Sequence, residues 1–451
     1  MNRNPRPPGP VRRRVRAVAA GSLALLLLAA APLRVPGSDW PQWRGPARDG
    51  HVVGEQSPGS IPEGLAPVWK RPVGTGFASP VVSRGVLVYL DEQAGMETAH
   101  AVSLATREEL WSVPFAEAFG DEWGSGPRST PVVDGDRVFV QSCKGEFRCL
   151  SMKEGRTLWR THFEKDYGVE FVGTKVLEGA AKRRGHNGSA IVDGGHVIVP
   201  VGSQSLATLV CFDKQTGGVV WKSMHDETAY SSPVIATLAG VRQLVMFTAD
   251  ALAGVDLTEG RLLWRIPVVT DAKRHAVSPV IVGTDRVVAA SHSHGMLCVR
   301  VEAAAGGALN ASVLWRNPDL KVNLSTPTLV GDSLYGFGSG KDYVCVDPST
   351  GKLRWSQAGY GRGVKTDHCS TLAIGERLLV LSESGQLSLL AANPGAHQLL
   401  GQAQVCGKTW STPAYADGRL YLRDGRDLYC YELVAGPRAG GAGPPRSGPT
   451  S

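Results

Sequence analysis

Few residues in this chain have both the type and the spacing for chemistry. His292-Ser293-His294 puts two imidazoles on one face of an extended segment, as a metal pair requires, yet no third ligand follows at a usable spacing. Gly336-Phe337-Gly338-Ser339-Gly340-Lys341 has glycines and a lysine suited to phosphate. It lacks the first Gly of a phosphate loop, a Ser or Thr after the Lys and a following helix, so a hairpin turn is expected. Asp134-Gly135-Asp136 is a tight turn without the continuation of a calcium loop. Cys143 and Cys149 flank a turn through Lys144-Gly145-Glu146 and are the candidate disulfide if the chain is exported. No Gly-x-Ser-x-Gly nucleophile elbow and no Cys-x-x-Cys-His haem motif occurs.

The elements that would position any site repeat eight times. Each unit opens on a small hydroxyl residue, usually before Pro, and continues through three short apolar strands with turns between them. The openings are Ser79-Pro80, Thr130-Pro131, Ser189-Ala190, Ser232-Pro233, Ser278-Pro279, Thr326-Pro327, Thr371-Leu372 and Thr412-Pro413, separated by 41 to 59 residues. Seven units end in Trp: Trp69, Trp111, Trp159, Trp221, Trp264, Trp315 and Trp355; the eighth boundary has Leu399-Leu400 instead. Asp213, Gly217 and Trp221 share one spacing with Asp256, Gly260 and Trp264, and with Asp347, Gly351 and Trp355. Asp caps a turn, Gly supplies a positive φ, and a fourth strand then carries the Trp. Four antiparallel strands in each of eight units predict an all-β, eight-bladed β-propeller. The Trp residues are expected to dock between blades, each burial being worth roughly 2–3 kcal/mol.

The phase of the repeat predicts closure. Trp69 precedes the first opening dipeptide, so the chain starts on a fourth strand, and it ends on a third strand near Tyr429–Leu433. The Val68-Trp69 strand is therefore expected to complete the last blade and remove the free sheet edges.

Composition agrees. With 55 Gly and 29 Pro in 451 residues, almost one residue in five interrupts regular backbone, which excludes coiled coils and long helices. The net charge of +7 does not indicate a nucleic-acid partner. Six basic residues, Arg3, Arg6, Arg12, Arg13, Arg14 and Arg16, lie in the first 31, and no acidic residue precedes Asp39; without that segment +7 becomes +1. The basic run and the apolar stretch Ala17–Ala31 form a secretory signal over residues 1–31, either cleaved or kept as an anchor. An N-terminal arm (32–66), the propeller (67–434) and a disordered Gly/Pro-rich tail (435–451) follow. The expectation is an extracytoplasmic monomer, periplasmic or secreted, with no membrane span after signal cleavage.

The Asp-x-x-x-Gly-x-x-x-Trp blade ending resembles the PQQ-like (pyrrolo-quinoline quinone) propeller repeat over residues 67–434. That repeat occurs in quinoprotein alcohol dehydrogenases and in the outer-membrane assembly lipoprotein of the BamB type. Trp40-Pro41-Gln42-Trp43-Arg44-Gly45-Pro46, with Arg48-Asp49-Gly50, resembles the start of exported PQQ-like repeat proteins of planctomycete-type bacteria. The quinoprotein resemblance implies bound PQQ, a calcium ion on carboxylate and amide oxygens, an Asp base and a stacking Trp. Asp367 and His368 are the candidates for catalytic groups, but the chain has no Cys-Cys pair and no recognisable calcium ligand set. The apolar run ends without the Cys of a bacterial lipid anchor.

In such a ring the first strands line the channel, and the residues just before them surround one mouth. These are Phe77, Arg128, His186, Asn187, Tyr230, Arg274, His275, Asn323, Asp367, His368, Lys408 and Trp410. Their cations, imidazoles, amides and aromatics suit an anion such as a carboxylate, a quinone or a sugar acid. Two long connections, one with Phe115, Phe119 and Trp123 and one from Lys165 to Arg184, should enlarge that face. Cys149, Cys211, Cys298, Cys345 and Cys430 recur late in the third strand and read as small core residues, not as metal ligands. The sequence thus points to an exported, non-catalytic propeller that binds a small ligand or an envelope protein at its mouth, with no metal and no cofactor expected. The resemblance keeps two alternatives: a PQQ- and calcium-dependent alcohol or sugar dehydrogenase, and a BamB-type assembly scaffold.

Overall fold

The computed structural model describes residues 1–2, 39–171, 185–361 and 368–434. The expected signal segment from residue 3 onward, the candidate base Asp367 and the tail from residue 435 lie outside the described residues. No helix among the described residues is long and apolar enough to cross a membrane.

Eight antiparallel four-stranded blades form among the described residues, one of them extended by a fifth, parallel strand, His51–Val52. Blade 1 runs Val81–Ser83, Val86–Gln93, Met96–Ser103 and Glu109–Glu117, from channel to rim. Blades 2 to 7 repeat that order. Blade 8 joins the two ends of the propeller: Trp69–Pro72 pairs with Asp427–Glu432, with Trp69 opposite Cys430. The ring is closed as the repeat phase predicts.

The opening hydroxyl has a specific task. At six of the eight seams the backbone N–H of the opening residue donates to the hydroxyl of its counterpart in the next blade: Ser79 to Thr130 at 3.2 Å, Thr130 to Ser189 at 3.0 Å, Ser189 to Ser232 at 3.0 Å. The belt continues from Ser232 to Ser278 and from Ser278 to Thr326, both at 3.0 Å, and closes from Thr412 to Ser79 at 2.9 Å. A short side chain with an acceptor oxygen is required there, and all these residues are buried.

The blade ending acts across the next seam. The Trp111, Trp159, Trp221, Trp315 and Trp355 indole N–H groups donate to main-chain carbonyls of the following blade, at 2.8 to 3.1 Å. The turn glycine of that blade lies against the ring. A Cβ on Gly217 would sit 2.6 Å from Trp159, and one on Gly260 would sit 2.4 Å from Trp221. Asp213 holds its turn by accepting from the Gln215 and Thr216 N–H groups. Trp264 departs from the expected docking. Blade 5 replaces the Asp-x-x-x-Gly turn with a longer hairpin through Ala305–Gly307, and the Trp264 indole donates instead to Gln243 Oε1 of its own blade at 2.5 Å. Trp69 packs on Tyr421 within the closing blade.

The five third-strand cysteines share one environment. Each is paired across the ladder with the docking Trp: Cys149 with Trp159, Cys211 with Trp221, Cys298 with Trp315, Cys345 with Trp355, Cys430 with Trp69. The expected Cys143–Cys149 disulfide is absent, and both thiols are free and buried. Cys143 lies in the turn itself, whereas the ladder partner of Cys149 is Phe139, so the two sit at different heights. Cys143 instead donates to Asn187 Oδ1 at 3.6 Å.

The arm fills the channel. Trp40 bridges Val82 of blade 1, Val133 of blade 2 donates to Pro41 O, and His51–Val52 pairs in parallel with the first strand of blade 7. Two arginines between these contacts are almost wholly buried, Arg44 at 3 % and Arg48 at 2 % exposure. Arg44 donates to Thr326 O, Pro327 O and Thr328 Oγ1 of blade 6 at 3.0, 3.2 and 3.0 Å. Arg48 donates to Ser189 O and Ala190 O of blade 3, to Pro233 O of blade 4 and to Gln42 Oε1. Burial lowers the Arg44 pKa to about 10 and that of Arg48 to about 9. The Trp-Pro-Gln-Trp-Arg-Gly sequence follows from this packing: Gly45, at φ 82°, lies against Trp40, and Gln42 bridges Arg48 and Pro46 O. The arm enters and leaves by one face. Asp39 binds Ser83 and Arg84 at a first turn of blade 1, and Glu55 binds Asp417 and Gly418 at the equivalent turn of blade 8.

Candidate functional site

The strand order puts the connections between blades at the opposite face, together with the turns between second and third strands. There a cavity of about 490 Å³ opens, within the usual range for small-molecule sites. Trp43 of the arm contributes to its lining, so the channel does not run open beneath it.

One wall is aromatic. Trp410 stands 5.3 Å from Phe77, 5.5 Å from Trp123 and 6.3 Å from His368, centroid to centroid. Glycines allow the approach, since a Cβ on Gly124 would lie 2.9 Å from the Phe77 ring. Burial pushes the His368 imidazole down to about 4 against the opposing pull of Glu383, so it is neutral at pH 7. The rest of the wall is polar: Arg128, Asn187, Tyr230, Arg274, Asn323, Ser339 and Lys341, above the belt hydroxyls. Arg128 is committed to the scaffold, paired with Asp121 at 2.8 Å and stacked over Phe77 and Phe119. Arg274 forms no ion pair among the described residues.

The structure brings together Phe77, Arg128, Asn187, Tyr230, Arg274, Asn323, His368 and Trp410 from the sequence-derived mouth. Three others it places elsewhere. His275 has no exposed surface: Nδ1 lies 2.8 Å from Thr248 O and the ring stacks on Phe247 at 4.1 Å, because its side chain turns into blade 4. His186 is buried edge-on against Phe163. Lys408 lies outside the cavity, over the Trp410 ring and 3.2 Å from Glu383. Asp367 is outside the described residues. His292 and His294 belong to no metal-binding group among the described residues.

Sequence reasoning missed Leu324, named Trp43 only in the arm motif and Ser339 and Lys341 only in a hairpin turn, and named Trp123 only as a loop aromatic. Ser339 and Lys341 sit on a turn between second and third strands, which opens on the same face as the connections that were counted. The described lining residues offer no carboxylate for a calcium-held quinone. No Asp or Glu lines the cavity among the described residues, and no group of three His, Cys, Asp or Glu is placed to hold a metal.

Fold and site together define a PQQ-like eight-bladed propeller with a plugged channel and a cation-bearing mouth. The chain belongs to the family described as outer membrane protein assembly factor BamB, which matches residues 95–357. The outer membrane protein assembly factor BamB of Shewanella oneidensis is 22 % identical over 260 residues, covering 55 % of this chain; the chain spans 61 % of that relative's length. The crystal structure of BamB from Moraxella catarrhalis superposes with a TM-score of 0.54 at 14 % identity, covering 84 % of this chain and 99 % of that one. A computationally designed protein, Ika8, gives the same TM-score at 10 % identity, covering 83 % of this chain and all of its own. At such identities these two structures speak to the fold alone.

Proposed function

We propose that this chain is an exported, non-catalytic propeller that holds a small anionic ligand in the mouth of its plugged channel. The observation that carries this reading is a concave wall with Arg128, Arg274 and Lys341 and no carboxylate among its described residues. The leader-like sequence and the outer-membrane association in the family's description support an extracytoplasmic location. Among the described residues no donor set for calcium stands behind a dehydrogenase reading.

The test follows Trp fluorescence of the purified protein during titration with organic anions, since Trp43, Trp123 and Trp410 all line the cavity. PQQ with calcium is included, and each mixture is assayed for dye reduction with alcohols and sugars. Saturable quenching by an anion without turnover is the expected result. Turnover would establish the dehydrogenase, and a flat response to every anion would remove the binding reading. A second reading rests on the family: an envelope scaffold that grips a protein partner. Co-purification of an outer-membrane barrel protein with the tagged chain would support it.

A further inference from the structure

Resting on the reading that this mouth binds a small anion, we propose that the anion is a tetrahedral oxyanion, a phosphoryl or sulfuryl group, seated on the belt hydroxyls at the floor of the cavity.

The belt has a second task along part of its circumference. Thr412, Ser79, Thr130, Ser189 and Ser232, from five consecutive blades, line the cavity and are only 4 to 7 % exposed. Each hydroxyl oxygen already uses one lone pair. Ser79, Thr130, Ser189 and Ser232 accept from the N–H of the preceding blade, and Thr412 accepts from the Ser370 hydroxyl at 3.1 Å. None of the five donates its own proton to a group among the described residues. A hydroxyl has one O–H beside its lone pairs, so five protons stand without an acceptor in the protein. Neighbouring hydroxyls are one main-chain N–H apart, so these protons form a continuous arc of donors.

A charge waits on the arm's side of that arc. Arg48 donates to the carbonyls of Ser189, Ala190 and Pro233, and its fourth acceptor is Gln42 Oε1. All four are neutral, and Arg48 has no ion pair among the described residues. A desolvated cation without a counter-charge is costly. Water accepts the belt protons one by one, whereas an oxyanion at Ser189 and Ser232 accepts several together and brings the missing negative charge. The shape follows from the number of donors. A carboxylate presents two oxygens in one plane; a phosphoryl or sulfuryl group presents three that are not coplanar with its centre, and so meets donors from several blades. The cavity, about 490 Å³, leaves room for an organic body beside Phe77, Trp123 and Trp410.

The experiment is calorimetric titration of the purified full chain with phenyl sulfate, phenyl phosphate, benzoate, inorganic phosphate and sulfate. Phenyl sulfate and benzoate share a ring and a single charge, so the comparison isolates the head group. The two esters are expected to bind about tenfold or more tighter than benzoate. Inorganic ions that bind as tightly as the esters identify a free ion as the ligand, and weaker ones identify an ester; either result supports the seat. Two belt variants locate it. Ser232→Ala and Ser278→Ala each remove the acceptor of one N–H bond of 3.0 Å, but only Ser232 lines the cavity. Both should lower the melting temperature, and only Ser232→Ala should weaken phenyl sulfate, by about tenfold. Equal affinities in the two variants overturn the proposed seat. Benzoate binding as tightly as phenyl sulfate overturns the tetrahedral assignment and leaves the anion-site reading standing. If no probe binds, both fail. The head-group comparison uses the unaltered chain, so it decides the matter even where a belt variant does not fold.

Discussion

His275 should make this propeller sensitive to acid. The ring is fully buried, one nitrogen faces the Thr248 carbonyl at 2.8 Å, the other lies 3.3 Å from the Thr270 hydroxyl, and Phe247 covers a face. Burial, together with His292 and His294 and against Asp250, pushes the imidazole down to about 4 from 6.5. Its contribution is fully present above pH 6.5 and is lost as the pH falls towards 4, because the unfolded chain then binds a proton that the folded one refuses. Those two values give a loss of about 2 kcal/mol between pH 7.5 and 5.0, rising to about 3 kcal/mol at pH 4. Glu97, buried and pushed up to about 8, acts in the opposite sense, so the informative quantity is the difference between variant and parent. The assay is urea unfolding at pH 7.5 and 5.0. His275→Gln will be less stable than the parent at pH 7.5, but its change on going to pH 5.0 should be less destabilising by about 2 kcal/mol. An identical pH dependence in the two proteins would refute the reasoning, since the imidazole would then titrate alike folded and unfolded.

Gly217→Ala should cost about 2–4 kcal/mol, because the residue has φ 74° and its new Cβ would meet Trp159 at 2.6 Å. Gly194→Ala, at φ 55° with nothing nearby, should cost only about 1 kcal/mol; equal losses in denaturant unfolding would remove the seam argument. Arg48→Met deprives three main-chain carbonyls and Gln42 of their donor, and a loss of about 2–4 kcal/mol is expected in the same assay. A variant as stable as the parent would mean that the arm does not hold the blades.

The ring was legible because its instructions are periodic. A hydroxyl that must accept from the preceding blade, and a Gly that must lie under the preceding Trp, recur wherever the seam recurs, so spacing alone exposes them. Trp264 shows the limit, since its partner turn is missing from the following unit. The mouth was partly legible for a topological reason: residues before each first strand must converge. Which way each side chain turns is not periodic, so His275 and His186 went to the interior and Lys408 to the outside. The arm was legible only as a motif. Its arginines find partners as far as 284 residues away, and nothing within the repeat marks a carbonyl that awaits an arginine. A segment dense in Trp, Arg and Gly, with two cations and one nearby acid, was the available signal.

The arm also imposes an order of events. Residues 40–55 leave the ribosome before any blade exists, yet their partners are spread over blades 1, 2, 3, 4, 6, 7 and 8, the last of them at Gly418. The propeller is therefore wound around a segment made before it, and of the two desolvated cations Arg48 gains its last acceptor with blade 4 and Arg44 only with blade 6. Trp69 waits for Cys430 in the same way. Such long-range closure is slow relative to local pairing. A nascent chain of this kind must carry an unsatisfied axis and an open edge until its final strands arrive, which makes the last blade the step that commits the whole molecule.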